Sequence, residues 1–254
     1  MRNKLLLISL LFIFSACASP ELAAETDTPV PSATPVMVTE TPLIVETTPI
    51  PTPTAVPLDR AKYSMYVTLD YAAKTVEVEQ TILYPNKSGE TLTDLLLAVE
   101  PNYWASGIII HELNVDGAAV NYTLDGQRLT IPLATPLAPE AKTELKLRYT
   151  LNLPFAEQGD PTATRARIYG YTARQINLTN WYPFVVPRQN GAWTLPEPWY
   201  FGEHLVYDVA DYDVYVNAPG VVVAASANAE QQAERSRYQL EAGRAFVISA
   251  SPDY

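Results

Sequence analysis

From Met65 onward apolar and polar residues alternate with a period of two, and that alternation commits the chain to strands with one wet face. Met65, Val67 and Leu69 alternate with Tyr66, Thr68 and Asp70; Val76, Val78, Gln80, Ile82 and Tyr84 alternate with Glu77, Glu79, Thr81 and Leu83. Turn chemistry punctuates the runs. Pro85-Asn86-Lys87-Ser88-Gly89 is one such stretch, and Asp116-Gly117 and Asp125-Gly126 are hairpin signals between the apolar runs 108–110, 120–124 and 129–133. Further strands are predicted at 143–153, 165–173, 205–216, 221–225 and 245–249, and the one short helical candidate lies around 228–235. Short strands joined by hairpin turns predict an all-β domain over 58–254, an antiparallel sandwich or curved saddle with room for two β subdomains.

A different texture interrupts the strands at 177–203. Trp181, Tyr182, Phe184, Trp193, Trp199, Tyr200 and Phe201 share that stretch with Pro183, Pro187, Pro196 and Pro198. That is too much proline for a central strand and too much aromatic surface for a solvated loop, so an ordered loop is expected. Its rings either fill the joint between subdomains or form an exposed contact surface.

Composition narrows the chemistry. The net charge is -11, with 17 Lys+Arg against 28 Asp+Glu and no basic run, which argues against a nucleic-acid partner because phosphate binding draws on clustered cations. One Cys allows no intramolecular disulfide, and one Cys with 2 His gives no Cys/His zinc cage. His111-Glu112-Leu113-Asn114-Val115 opens like H-E-x-x-H, but Val115 stands where the second His is needed, and in a strand the two positions lie too far apart to share a metal. His204 is expected on a strand edge at the surface. G-x-S-x-G, P-loop and G-x-G-x-x-G motifs do not occur. Glu77 and Glu79 share a strand face as a glycosidase pair would, yet alternate acids on a polar face are ordinarily just solvated.

The N-terminus reads as an address. Arg2 and Lys4 precede the apolar stretch 5–14, about half of the ~20 residues that a spanning helix needs, and small residues follow. Residues 1–16 are therefore expected to be a signal peptide. Phe14-Ser15-Ala16-Cys17 resembles the bacterial lipobox, with Phe14 in place of the usual Leu; the resemblance implies lipidation of Cys17, a membrane-lipid partner and a place at the cell membrane or surface. Several acyl chains on one residue give lasting attachment where one is marginal. Residues 17–57 carry Thr-Pro and Pro-Thr pairs, with Glu21, Glu25, Asp27, Glu40 and Glu46 as their charges. Proline fixes φ and removes donors, which predicts an extended linker reaching on the order of 100 Å at ~3.1 Å per residue. A stalk and a passive tether both answer to this description.

Within the β region, residues 63–102, YSMYVTLDYAAKTVEVEQTILYPNKSGETLTDLLLAVEPN, resemble the opening of the N-terminal β domain of the membrane alanyl aminopeptidase family of gluzincin zinc metallopeptidases. There a second strand ends in Y-x-N and a later one reads L-x-L-x-L-x-P-N. Arg174-Gln175-Ile176-Asn177 with Trp181-Tyr182-Pro183 lies where that family has T-Q followed by F-P-C-F-D-E-P, and 202–219 and 246–251 resemble its later strands. The resemblance implies the non-catalytic saddle of such an enzyme, truncated or split from its catalytic half, walling one side of a peptide cleft. By the same resemblance Gln175, Asn177, Trp181 and Tyr182 are the residues nearest the substrate amine. The family's G-A-M-E-N, H-E-x-x-H and later Glu are absent, so no cofactor is expected in this chain and zinc only in a separate or C-terminal peptidase domain. The rival expectation is a complete, stalked binding module whose aromatics at 181–201 meet glycan or peptide; a spacer without a ligand is the third.

Overall fold

A computed structural model of the chain describes residues 59–156, 168–198 and 204–254, all within a unit spanning Ala55–Tyr254. The signal peptide, Cys17, the Thr/Pro linker and residues 199–203 of the aromatic segment lie outside the described residues. In chain order the strands are β1 (Ala61–Asp70), β2 (Thr75–Pro85), β3 (Leu92–Ala98), β4 (Ile108–Val115), β5 (Ala118–Ala119), β6 (Thr123–Asp125), β7 (Arg128–Leu137), β8 (Lys142–Asn152), β9 (Gly170–Tyr171), β10 (Ile176–Leu178), β11 (Phe184–Val185), β12 (Arg188–Gln189), β13 (Ala192–Trp193), β14 (Ala210–Asn217), β15 (Val222–Ala225), β16 (Ala229–Gln232), β17 (Arg235–Gly243) and β18 (Ile248–Ser251). A 3-10 turn at Glu100–Tyr103 interrupts them.

The largest sheet runs β16-β17-β14-β1-β2-β8-β4-β5, and two four-stranded sheets run β15-β18-β10-β9 and β11-β3-β7-β6. Pairing is antiparallel except for β1 against β14. The alternation read in the sequence sets which face is dry. Met65, Val67 and Leu69 of β1 and Val76, Val78 and Ile82 of β2 are buried, and Leu95, Leu97, Ile131, Ile176 and Ile248 of the smaller sheets join them in one hydrophobic cluster. The fold is all-β, as the periodicity predicts.

Three elements differ from the sequence reading. The helical candidate at 228–235 is the hairpin β16–β17, with Ala233 at positive φ in its turn, because β17 can ladder onto β14 there. The strand predicted at 205–216 begins only at Ala210, and that predicted at 165–173 is, among the described residues, the two-residue β9. His204 is not at a strand edge on the surface: it is buried, with Nε2 3.3 Å from Gln127 Oε1, since Leu205 beside it enters the core and carries the backbone inward.

Among the described residues the Tyr169 hydroxyl is buried without a hydrogen-bond partner, whereas the amides of Gln80 and Asn86 are fully engaged. Gln80 stands alone among apolar neighbours on the inner face of β2; its Nε2 donates to the Pro183 carbonyl at 2.6 Å and its Oε1 accepts from the Tyr149 hydroxyl at 2.8 Å. Asn86, fully buried, ties the turn after β2: Nδ2 donates to the carbonyls of Glu90, Leu137 and Ala138, and Oδ1 accepts from the Ser88 N–H and hydroxyl.

Candidate functional site

Gln175 closes the β9–β10 hairpin. The Thr172 N–H donates to the Gln175 carbonyl at 2.8 Å, while the Thr172 hydroxyl accepts from the N–H groups of Arg174 and Gln175 at 3.2 Å. A Ser/Thr side chain that caps its own turn in this way fixes the backbone from which the next side chains project. Asn177, two residues on, lies on the same strand face and pairs in register with Ser249 of β18 on one side and Gly170 of β9 on the other.

These positions build a closed polar cluster. Gln175 Nε2 donates to Asn177 Oδ1 at 3.2 Å, the Ser249 hydroxyl donates to the same oxygen at 2.8 Å, and the Tyr254 hydroxyl donates to Gln175 Oε1 at 3.2 Å. The Ser249 and Tyr254 hydroxyl oxygens also lie within hydrogen-bond distance of each other, and because each carries one proton, two of these three hydroxyl contacts are made at a time. The cluster is half-exposed and uncharged. Asn177 Oδ1 uses both lone pairs, whereas Gln175 Oε1 accepts from Tyr254 and retains one acceptor position, which suits an ammonium or amide donor.

Gly170 sets the floor. Its φ of 121° is open to glycine alone, and a Cβ there would lie 2.2 Å from the Pro154 carbonyl oxygen. That close approach lets Tyr171 N–H reach Pro154 O at 2.9 Å, so β9 is pinned beside Asn177.

Of the four residues singled out in the sequence, the structure brings Gln175 and Asn177 together and sets Trp181 and Tyr182 apart from them in environment. Trp181 is 0% and Tyr182 1% exposed. Trp181 Nε1 donates to the Phe246 carbonyl at 2.9 Å; the Tyr182 hydroxyl accepts from Phe246 N–H at 3.1 Å and is 3.2 Å from the Tyr212 hydroxyl. Both rings are core, packed edge to face. Phe184 stacks on Tyr207, and Trp193 is half-buried with Nε1 on Asp94, so the described part of the aromatic segment fills a joint between the sheets. Ser249 and Tyr254 are the members that sequence reasoning missed. They lie 72 and 79 residues from their partners, and only the sheet register joins them.

Among the described residues no group of three or more His, Cys, Asp or Glu is placed to hold a metal ion. His111 Nε2 lies 2.8 Å from the Thr150 hydroxyl.

No family model matches the sequence, and no curated protein does. Solved structures do match. The M1 zinc metallopeptidase from Deinococcus radiodurans superposes with a TM-score of 0.52 at 15% identity, over 76% of this chain and 42% of that one. The β domain shares its fold with part of an M1 zinc metallopeptidase. A variant of a two-domain M1 zinc metallopeptidase bound to L-tryptophan gives a TM-score of 0.50 at 15% identity, over 76% of this chain and 43% of that one. The chain thus spans less than half the length of these M1 structures, whose N-terminal domain is β-rich.

Proposed function

We propose that the β domain is the non-catalytic, substrate-side wall of a zinc aminopeptidase-like assembly, and that the Gln175 cluster receives the peptide's N-terminal amine. The single observation that carries this reading is the hydrogen-bonded cluster of Gln175, Asn177, Ser249 and Tyr254, which leaves an acceptor position on Gln175 Oε1. The shared fold with part of the M1 metallopeptidase supports it. Chemistry would come from a zinc peptidase domain that packs against this one, as part of a longer chain or as a separate partner. Trp181 and Tyr182 then act by holding the strands that present the cluster rather than by touching peptide.

The domain is carried at the membrane surface by acyl chains on Cys17, with residues 18–57 as the spacer. Metabolic labelling with a palmitate analogue should mark the full chain and leave Cys17→Ser unmarked; equal labelling of both contradicts the anchor. For the site, Gln175→Ala paired with a catalytic domain should raise KM for a free-amine peptide about tenfold with kcat little changed, the pattern of lost uniform binding. An unchanged KM contradicts the assignment.

A further inference from the structure

The outer face of the largest sheet carries a second constellation that shares no residue with the Gln175 cluster. A hollow of about 280 Å³ opens there, lined by Tyr66 and Thr68 of β1, Glu77 and Glu79 of β2, Arg148 and Thr150 of β8, with His111 and Arg235. The ladder sets the order. Tyr66 lies opposite Glu79, Glu79 opposite Arg148, Thr68 opposite Glu77 and Glu77 opposite Thr150. His111 arrives by a bulge: the β4–β8 register slips between Ile110 and Glu112, so His111 and Glu112 are both exposed where strict alternation would turn one of them inward.

Tyr66 is the wall. It is 44% exposed on a face that is otherwise polar, and one side of its ring is taken by Tyr215, stacked at 4.7 Å and 11°. Arg235 lies 5.6 Å from the same ring. Tyr66 lines the hollow together with Arg235, whose guanidinium lies over the ring, and Tyr215 does not line it. A flat aromatic face, held upright by a second ring, stands beside a floor of alternating acceptors and donors. Glu77 and Glu79 accept; Arg148, Arg235, Thr68 and Thr150 donate. Glu112 also lies at the rim, its Oε2 3.8 Å from Arg148 Nε, so charges of both signs alternate across the hollow rather than forming a patch of one sign. The hollow offers hydrogen bonds of both senses at close spacing to a ligand whose neighbouring groups both donate and accept. Its volume is at the lower edge of ordinary ligand pockets, roughly 300 Å³ and upward, which suits one ring.

We infer that this hollow binds a neutral sugar ring, a pyranose stacked on Tyr66 with its hydroxyls shared between Glu79 and Arg148. Vicinal hydroxyls meet the Glu79–Arg148 pair, one donating to the carboxylate and the next accepting from the guanidinium, while the apolar face of the ring covers Tyr66.

The test is calorimetric titration of the full chain with glucose, galactose, N-acetylglucosamine, maltose and cellobiose, with glycine as a zwitterionic comparison. At least one sugar should bind saturably with Kd on the order of 1 mM. Tyr66→Ala should weaken that binding about tenfold or more, Tyr66→Phe should preserve it, and Glu79→Gln, a substitution on the exposed face, should weaken it about tenfold with an unchanged melting curve. If Tyr66→Ala does not fold, the Tyr66→Phe and Glu79→Gln pair decides. Saturable binding by none of the five sugars, binding of glycine in their place, or sugar binding indifferent to Glu79→Gln and Tyr66→Ala would overturn the inference.

Discussion

Gln80 shows how a single side chain ties two sheets. Its amide bridges Tyr149 of β8 and the Pro183 carbonyl, so the aromatic segment is anchored to the inner face of the large sheet by one buried group. Gln80→Leu keeps the volume and removes both bonds, leaving the Pro183 carbonyl and Tyr149 hydroxyl buried without that partner. A loss of about 2–4 kcal/mol is expected by urea denaturation, whereas the exposed neighbour Glu79→Gln should move stability by less than about 0.5 kcal/mol. The alternation places Gln80 on the dry face without saying what satisfies it. The same blindness applies to the candidate site: Gln175 and Asn177 can be singled out from a local motif, but Ser249 and Tyr254 have no local signal, since the hydrogen bonds that recruit them cross the β10–β18 ladder.

Among elements, the β9–β10 hairpin is tightly constrained at its first strand. Gly170 combines a left-handed φ with a backbone contact that leaves no space for a methyl group. Gly170→Ala should therefore cost about 2–4 kcal/mol, from backbone strain and the clash with Pro154, and should broaden the Asn177 amide resonance before others in the sheet. Strands that alternate cleanly, such as β1, β2 and β8, are legible in the sequence because burial on one face selects their residues directly. The hairpin at 229–243 is harder to read. β16 is exposed throughout and β17 buries only Tyr238, and no apolar periodicity separates them from a short polar helix. The late start of β14 has a related cause: residues 204–209 carry the apolar pattern of a strand but bury Leu205 in the core without entering a ladder.

For the whole molecule, the core is unusually rich in phenols. Burial is the first cause that raises the hydroxyls of Tyr63, Tyr84, Tyr149, Tyr169 and Tyr182; Tyr84 is pushed up to about 12, with Asp208 adding to the effect, and the others are likewise raised above the ordinary phenol. The folded chain holds these protons more tightly than the unfolded chain, whose tyrosines titrate near 10. Their contribution to stability is thus complete below about pH 10 and is lost as pH rises from there through about 12 and beyond. Phenolate absorbance of the buried set should appear only together with loss of the β signal in circular dichroism. A smooth single titration with the sheet intact would contradict the packing.

At the same scale, the proposed role of this β domain is to present an amine-binding cluster to a peptide. The most direct measurement is a titration of the isotope-labelled full chain with trialanine and with N-acetyl-trialanine, following the side-chain amide resonances of Gln175 and Asn177. The free peptide should shift both and the acetylated peptide neither, with the Gln175→Ala chain silent to each. Equal shifts from the two peptides, or none from the free one, would contradict the claim.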